Sequence, residues 1–177
     1  MAGVDRPESV AEHSFRTAVV GTILAALAGA DAGRTALLCL LHDSPETRIG
    51  DIPSVGRAYV STAKPEAVSQ QQTATMPDAL STLIQGLVHE YEAEETVEAR
   101  LAHDADKIEM LLQAREYETQ GRHNTEPWQN TSQSNLRTEQ GRVLADATRG
   151  THPEHWWKAF AETHTELRRS ARSRPDR

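Results

Sequence analysis

Apolar residues in this chain recur at helical spacing and do not alternate. The first such stretch holds Val10, Ala11, Phe15, Ala18, Val19, Thr22, Ile23, Ala26 and Leu27. These are read as its core-facing positions. Ser9-Val10-Ala11-Glu12 precedes most of them and has the form of a capping box, with Ser9 as N-cap and Glu12 reaching back. Gly29 supplies a stop. A second helix is predicted over about residues 32–43. It is apolar nearly all round, which predicts a buried helix. Pro45 disfavours the α conformation at Ser44, so Ser44 can cap a fresh turn with Pro45 at its first position. Residues 50 to about 77 are rich in Gly, Pro, Ser, Thr and Gln. They read as a mobile lid containing a short helix. Further helices are predicted over about residues 78–92, 94–120, 131–147 and 153–169, with a loop at 121–130. Leu101, Ile108, Leu111, Leu112 and Tyr117 are the apolar positions of the long fourth helix.

Composition narrows the class. Ala and Leu supply most of a 37% hydrophobic fraction, which favours helix over sheet. The expectation is an all-α bundle. At 177 residues it forms one domain, assigned to residues 1–165, with a disordered Arg- and Ser-rich tail expected over 166–177. The formal charge of −7 argues against a general nucleic-acid surface. Cys39 is the only cysteine, so an internal disulfide and a Cys-rich zinc site are excluded; within Ala36-Leu37-Leu38-Cys39-Leu40-Leu41 it reads as a small buried hydrophobe. No basic-then-apolar leader is present, and no apolar run reaches the ~18 residues of a membrane span. A cytoplasmic location is expected.

The chemistry lies in three separated pieces: His13, the pair His42-Asp43, and Asp106. His13 falls in the first turn of its helix beside Val10 and Phe15, so it points inward. His42-Asp43 alone would pass for a capped surface turn. At the end of an apolar helix, however, two unpartnered polar groups are costly to bury, and His13 and Asp106 are the partners on offer. Two imidazoles and two carboxylates suit one divalent cation that keeps positions open for water and substrate. That arrangement implies hydrolysis. His103 and Asp104 do not make a second site, because only His103 shares a helix face with Asp106. His152 and His155, flanking Pro153, read as cap or packing residues.

Taken together, Glu8-Ser9-Val10-Ala11-Glu12-His13, Leu41-His42-Asp43-Ser44-Pro45-Glu46 with Gly50-Asp51-Ile52-Pro53, and Asp106-Lys107 resemble the HD-domain metal-dependent phosphohydrolases. Glu90-Tyr91-Glu92, Thr96-Val97-Glu98-Ala99, Leu112-Gln113-Ala114 and Glu116-Tyr117 extend the resemblance to the small 5'-deoxynucleotidase branch. The likeness covers roughly residues 6–128. It implies an HD-domain helical bundle with a metal site in its core. The metal ligands would be His13, His42, Asp43 and Asp106, holding one divalent cation (Mn, Co, Mg or Zn). Glu46 and Asp51 would be the acid/base and water-orienting carboxylates. Gly50 permits a tight turn that aims Asp51 back at the site. Arg6 and Lys107 are the candidate contacts to a substrate phosphate.

The reaction so implied is removal of the 5'-phosphate from a nucleoside monophosphate, 2'-deoxy forms foremost, by water activated at the metal. One alternative substrate is a nucleoside di- or triphosphate or a modified nucleotide. A different class is a regulatory module that binds metal and nucleotide without turnover, which would have little need of Glu46 and Asp51. Relatives carry a preceding helix whose Arg-Trp pair lines the pocket. Here Met1 to Asp5 precede Arg6, so an open pocket with weak base and sugar preference is expected. A small nucleotide is the expected partner, with no nucleic acid and no membrane. A homodimer is expected, with Trp156 and Trp157 as its candidate surface.

Overall fold

The computed structural model describes residues 4–53 and 55–172. The described residues fold as α1 (Val10–Ala28), α2 (Ala32–Leu41), α3 (Glu46–Ile49), a 3-10 turn at Gly56–Ala58, α4 (Pro65–Gln72), α5 (Asp78–Ala93), α6 (Val97–Thr119), α7 (Glu126–Ser134), α8 (Glu139–Gly150) and α9 (His155–Arg172). No strand occurs among them. The all-α expectation holds.

The long helix α6 is the axis on which the rest is laid. It packs against α1, α2, α5, α7 and α8, while α1 and α2 form a tight pair across it. Leu101, Ile108 and Leu111 of α6, Leu24 of α1, Leu38 of α2 and Leu87 of α5 are fully buried. Each such side chain contributes about 1.5–3 kcal/mol by leaving water.

Local chemistry sets the helix starts. The capping box is present: Glu12 N donates to Ser9 Oγ (3.3 Å), and Ser9 N donates to Glu12 Oε2 (2.8 Å). Asp31 caps α2 by accepting from Arg34 N (2.9 Å), and Thr96 caps α6 by accepting from Ala99 N (3.1 Å). At the end of α1, Gly29 takes the left-handed conformation (φ 68°).

Several expectations need correction. In α1 the packed face is made of Ser14, Thr17, Ala18, Val20, Gly21, Leu24 and Ala25. Phe15, Val19, Ile23 and Leu27 point outward. Both faces are apolar, and the close α1–α2 and α1–α6 contacts take the face with the smaller side chains. Helix α2 ends at Leu41, and it is not buried all round. Leu38 and Cys39 are enclosed, while Leu37 and Leu40 stay 43% and 44% exposed because α1, α5 and α6 cover one side only. Ser44 does not cap a new turn; its hydroxyl donates back to the Leu41 carbonyl (2.7 Å), and α3 has no side-chain cap.

The helix predicted over 131–147 is two helices, α7 and α8. The break occurs because the buried Asp104 carboxylate, reaching across from α6, accepts from Arg137 N (2.6 Å), Thr138 N (2.8 Å) and Thr138 Oγ1 (2.5 Å). The chain must turn there to meet it, and Thr138 caps the new helix. The tail assigned to 166–177 is helical as far as Arg172; residues 173–177 lie outside the described residues. The short helix expected inside the 50–77 segment is α4.

One contact sets the spacing of the bundle. A Cβ added to Gly21 of α1 would lie 2.5 Å from Cys39 Sγ of α2 and 3.5 Å from Ala105 Cβ of α6. Three helix backbones converge at this point, and only glycine fits there.

Candidate metal centre

The convergence of α1, α2 and α6 brings the three sequence pieces together. His13 comes from the first turn of α1, His42 and Asp43 from the turn that ends α2, and Asp106 from the middle of α6. His13 Nε2 lies 3.4 Å from His42 Nε2, 3.4 Å from Asp43 Oδ2 and 3.4 Å from Asp106 Oδ1. His42 Nε2 lies 3.2 Å from Asp43 Oδ2. Ligands sharing one ion at about 2.1 Å stand at separations of this order. His13, His42 and Asp106 are also a set whose donor atoms all fall within 4.8 Å of one another.

The ring orientations agree with that use. His42 Nδ1 donates to the Cys39 carbonyl (2.7 Å), an oxygen that can only accept. The hydrogen therefore sits on Nδ1, and the Nε2 lone pair faces the centre. His13 Nδ1 lies 2.6 Å from Glu109 Oε2, which turns its Nε2 the same way. Such outer partners orient metal-ligating imidazoles. The donor set fits a divalent cation: two imidazole nitrogens and the Asp106 carboxylate gathered within 4.8 Å, with the Asp43 carboxylate beside both imidazoles, all half-buried to buried.

The electrostatics of the site are those of charges that need each other. Burial alone would lower His13, but hydrogen bonds to Asp106 and Glu109 override it and raise it to about 11. His42 is raised in the same sense: burial opposes protonation, and Asp43 and Asp106 outweigh it. Asp106 resists its burial through His13 and Lys107 and is held far below the usual carboxylate range.

Glu46 opens α3 just beyond Asp43. Burial raises it to about 7, helped by the negative charges of Asp43 and Asp51. Asp51 follows Gly50, which turns with a φ of 78°; it is exposed, and its negative charge reaches Glu46. Lys107 Nζ lies 2.7 Å from Asp106 Oδ2, at the edge of the site. Arg6 is exposed and makes no hydrogen bond or ion pair among the described residues. Tyr91 forms a wall, its ring 4.8 Å from His42 and stacked 4.0 Å from His103. His103 donates to or accepts from nothing at the centre; its Nε2 is 3.0 Å from the Tyr91 carbonyl. Asp104 faces away, towards α8. His152 Nδ1 accepts from Glu154 N (3.2 Å) in the turn before α9, as a cap residue does.

Sequence reasoning missed a second layer. Glu109 is wholly buried behind His13 and takes Arg16 Nε at 2.7 Å. Glu8 lies 3.8 Å from His13 Nδ1; burial raises it to about 7, with the charge of Glu109 next in importance. Arg57 reaches to 4.0 Å from Glu46 Oε1, and Glu92 is raised by burial and then by Glu66 and Asp43. A spacing signal existed for two of these: Arg16 stands three residues after His13, and Glu109 three after Asp106, each on its ligand's helix face.

The HD domain family model matches residues 1–147. The chain belongs to the HD domain family. It is 36% identical over 117 residues to the 5'-deoxynucleotidase HDDC2 of Xenopus laevis, covering 65% of this chain and 58% of that one. It is 32% identical over 122 residues to the 5'-deoxynucleotidase hdd1 of Schizosaccharomyces pombe, covering 66% and 61%. The match thus spans under two thirds of the length of either relative. A solved structure of a conserved hypothetical protein from Pyrococcus furiosus superposes with a TM-score of 0.69 at 28% identity, over 85% of this chain and 88% of that one. As an HD domain, the chain carries its His42-Asp43 pair where α2 gives way to the turn, within reach of donors from the two helices beside it.

Proposed function

We propose that this protein hydrolyses the 5'-phosphate of nucleoside monophosphates, 2'-deoxy forms foremost, with one divalent cation (Mn, Co, Mg or Zn) held by His13, His42, Asp43 and Asp106. The observation that carries the reading is the meeting of side chains from α1, α6 and the turn that ends α2: His13 Nε2 lies 3.4 Å from each of His42, Asp43 and Asp106, and His42 lies 3.2 Å from Asp43. The names of the relatives from Xenopus laevis and Schizosaccharomyces pombe support the substrate class.

A bound cation would lower the pKa of water and neutralise charge on the phosphoryl oxygens. The chain's own residues supply the rest. Glu46, raised to about 7 by burial and its negative neighbours, is suited to give a proton to the departing 5'-oxygen as the P–O bond breaks. Asp51 helps to keep Glu46 in its protonated form and orients water. Lys107, beside Asp106, and Arg57, 4.0 Å from Glu46, are cations near the site for the phosphate, and Arg6 is the further candidate. Glu46 and Asp51 also favour turnover over a regulatory module that only binds, since binding needs neither.

The test is phosphate release from nucleoside mono-, di- and triphosphates, ribo and deoxy, with Mn, Co, Mg or Zn added in turn. The expected result is metal-dependent release from monophosphates. Release confined to di- or triphosphates would move the substrate class, and metal and nucleotide binding without release would establish the regulatory alternative. Assembly as a homodimer belongs to the same proposal. Trp156 meets Trp157 edge-on at 5.5 Å and Trp157 stacks on Phe160 at 5.6 Å along α9, with the two tryptophans 66% and 55% exposed, which supports that surface. A monomer by light scattering at micromolar concentration would remove it.

A further inference from the structure

We infer that Glu109 is the positioning residue for His13, fixing the hydrogen on Nδ1 so that Nε2 is presented to the metal, and that Arg16 holds Glu109 to that task. The inference rests on reading His13 as a metal ligand.

Glu109 has no solvent exposure at all. A carboxylate in such a place is costly unless every lone pair is used. Its two oxygens divide the work. Oε2 takes His13 Nδ1 at 2.6 Å, and Oε1 takes Arg16 Nε at 2.7 Å and Nη2 at 2.5 Å. Arg16 then places two further donors along α6, on Gln113 Oε1 (2.5 Å) and Glu116 Oε2 (2.8 Å). The guanidinium is thereby pinned at three successive positions of one helix face, and its rigid fork leaves Oε1 no freedom to rotate. An ion pair needed only to hold α1 to α6 is already supplied by Arg16 and the half-exposed Glu116. It gives no reason to bury a second carboxylate at the back of an imidazole.

The spacing repeats on both helices. His13 and Arg16 are three apart on α1, and Asp106 and Glu109 are three apart on α6. One rung therefore presents donors to the centre, and the rung beside it braces them. An ionised carboxylate can only accept, so the imidazole hydrogen must lie on Nδ1. Without Glu109 the ring is free to turn, or to carry its hydrogen on Nε2, where it would block ligation. An anionic acceptor also makes Nε2 the better donor to a cation.

The experiment measures the dissociation constant of Mn and of Zn by equilibrium dialysis for wild type, Glu109→Ala, Glu109→Gln, Glu109→Asp and Arg16→Gln. The melting temperature of each metal-free protein is measured alongside. Zinc-loaded wild type is also examined by 1H–15N NMR for a downfield, slowly exchanging His13 Nδ1–H proton. The expected result is that resonance in wild type and its loss in Glu109→Ala, with metal affinity weakened about 10- to 100-fold. Glu109→Asp should restore part of it. Arg16→Gln should weaken binding in the same direction by less, and kcat at saturating metal should fall less than affinity does. Glu109→Gln keeps the side-chain shape, so it serves if the alanine variant does not fold. A purely structural Glu109 would lower the melting temperature and leave the dissociation constant within twofold of wild type, which would overturn the inference alone. Wild type that binds no metal would overturn it together with the proposed function. Wild type that binds metal in this way but releases no phosphate would overturn only the function.

Discussion

At Glu46 burial and two neighbouring negative charges act in one direction, and together they raise its carboxyl from 4.5 to about 7. The proposed role as proton donor depends on that environment, while metal binding does not. Glu46→Gln should therefore retain stoichiometric metal and lose turnover by ~10²- to 10⁴-fold, the usual contribution of a proton-transfer group. Metal content by atomic absorption beside kcat separates the two properties; turnover within a few-fold of wild type removes Glu46 from the mechanism. His42→Ala, Asp43→Ala and Asp106→Ala should instead lose metal and activity together, and full activity with bound metal in Asp106→Ala would sink the ligand assignment. A quieter residue makes a different point. Cys39 lies against Gly21 with no exposed surface, and burial, followed by the charge of Asp106, pushes its thiol up to about 12. Since the thiolate is the reactive form, iodoacetamide at pH 8 should leave Cys39 unlabelled in the native protein and label it in denaturant. Rapid native labelling would mean that α1 and α2 part easily.

Helix α8 owes its position to one side chain on another helix. Asp104 accepts three hydrogen bonds from Arg137 and Thr138, and a Cβ added to Gly141 would fall 2.2 Å from its carboxylate. Asp104→Ala should cost about 1–3 kcal/mol, because two backbone donors and the hydroxyl of the capping Thr138 lose their acceptor. The urea midpoint gives the value, and hydrogen exchange should show the added mobility concentrated in residues 135–150. A shift within 0.5 kcal/mol would mean that water replaces the carboxylate there. The same feature explains where the sequence was readable at this scale. Ser9 with Glu12, and Gly29, act within a few residues, so both ends of α1 were legible. The break between α7 and α8 is imposed by a residue 33 and 34 positions earlier in the chain, and no local pattern announces it. The packed face of α1 was misread for a related reason. Periodicity locates a face only when the opposite one is polar, and α1 has apolar residues on both.

The molecule as a whole gathers at one point groups whose folded and unfolded pKa values differ. Glu8 and Glu46 rise from 4.5 to about 7, so the folded protein holds protons that the unfolded chain releases across that window. Its stability must fall as pH rises through it. His13, raised from 6.5 to about 11, stabilises fully below 6.5 and loses that contribution as pH climbs towards 11. Asp106, depressed from 3.8, adds stability that disappears only as pH falls below that value. Metal-free protein should thus be most stable near pH 4–5 and weaken steadily through neutrality. A bound cation takes the place of the protons on the His13 and His42 nitrogens that face it and stabilises by mass action, more so as pH rises. Urea midpoints from pH 4 to 9, with chelator and with saturating Mn, check both limbs. A metal-free protein more stable at pH 8 than at pH 5 would contradict this account. The clustering of His13, His42, Asp43 and Asp106 was legible because each residue type carries its chemistry openly, and their use as ligands is the proposal. Arg16 and Glu109 were not, because an arginine and a glutamate on helix faces look like any solvated pair until the fold encloses them.

The absence of a side chain at Gly21 governs how near two parts of the donor set can stand. His13 belongs to the helix on one side of that contact and His42-Asp43 to the helix on the other, so the distance across it works as a calliper on the metal. A methyl group there, 2.5 Å from Cys39 Sγ, would open the jaws by a fraction of the sulfur's radius. Overpacking of this kind costs about 1–3 kcal/mol. Gly21→Ala should also loosen metal binding at conditions where the protein remains folded, although position 21 touches none of the ligands. Removing the sulfur as well, in Gly21→Ala/Cys39→Ala, should return both stability and affinity towards wild type, because the remaining contact, 3.3 Å to Thr35 Cγ2, yields by a few tenths of an ångström. Tuning of this centre is therefore open to residues that never meet the ion, through the gap they leave between two helices.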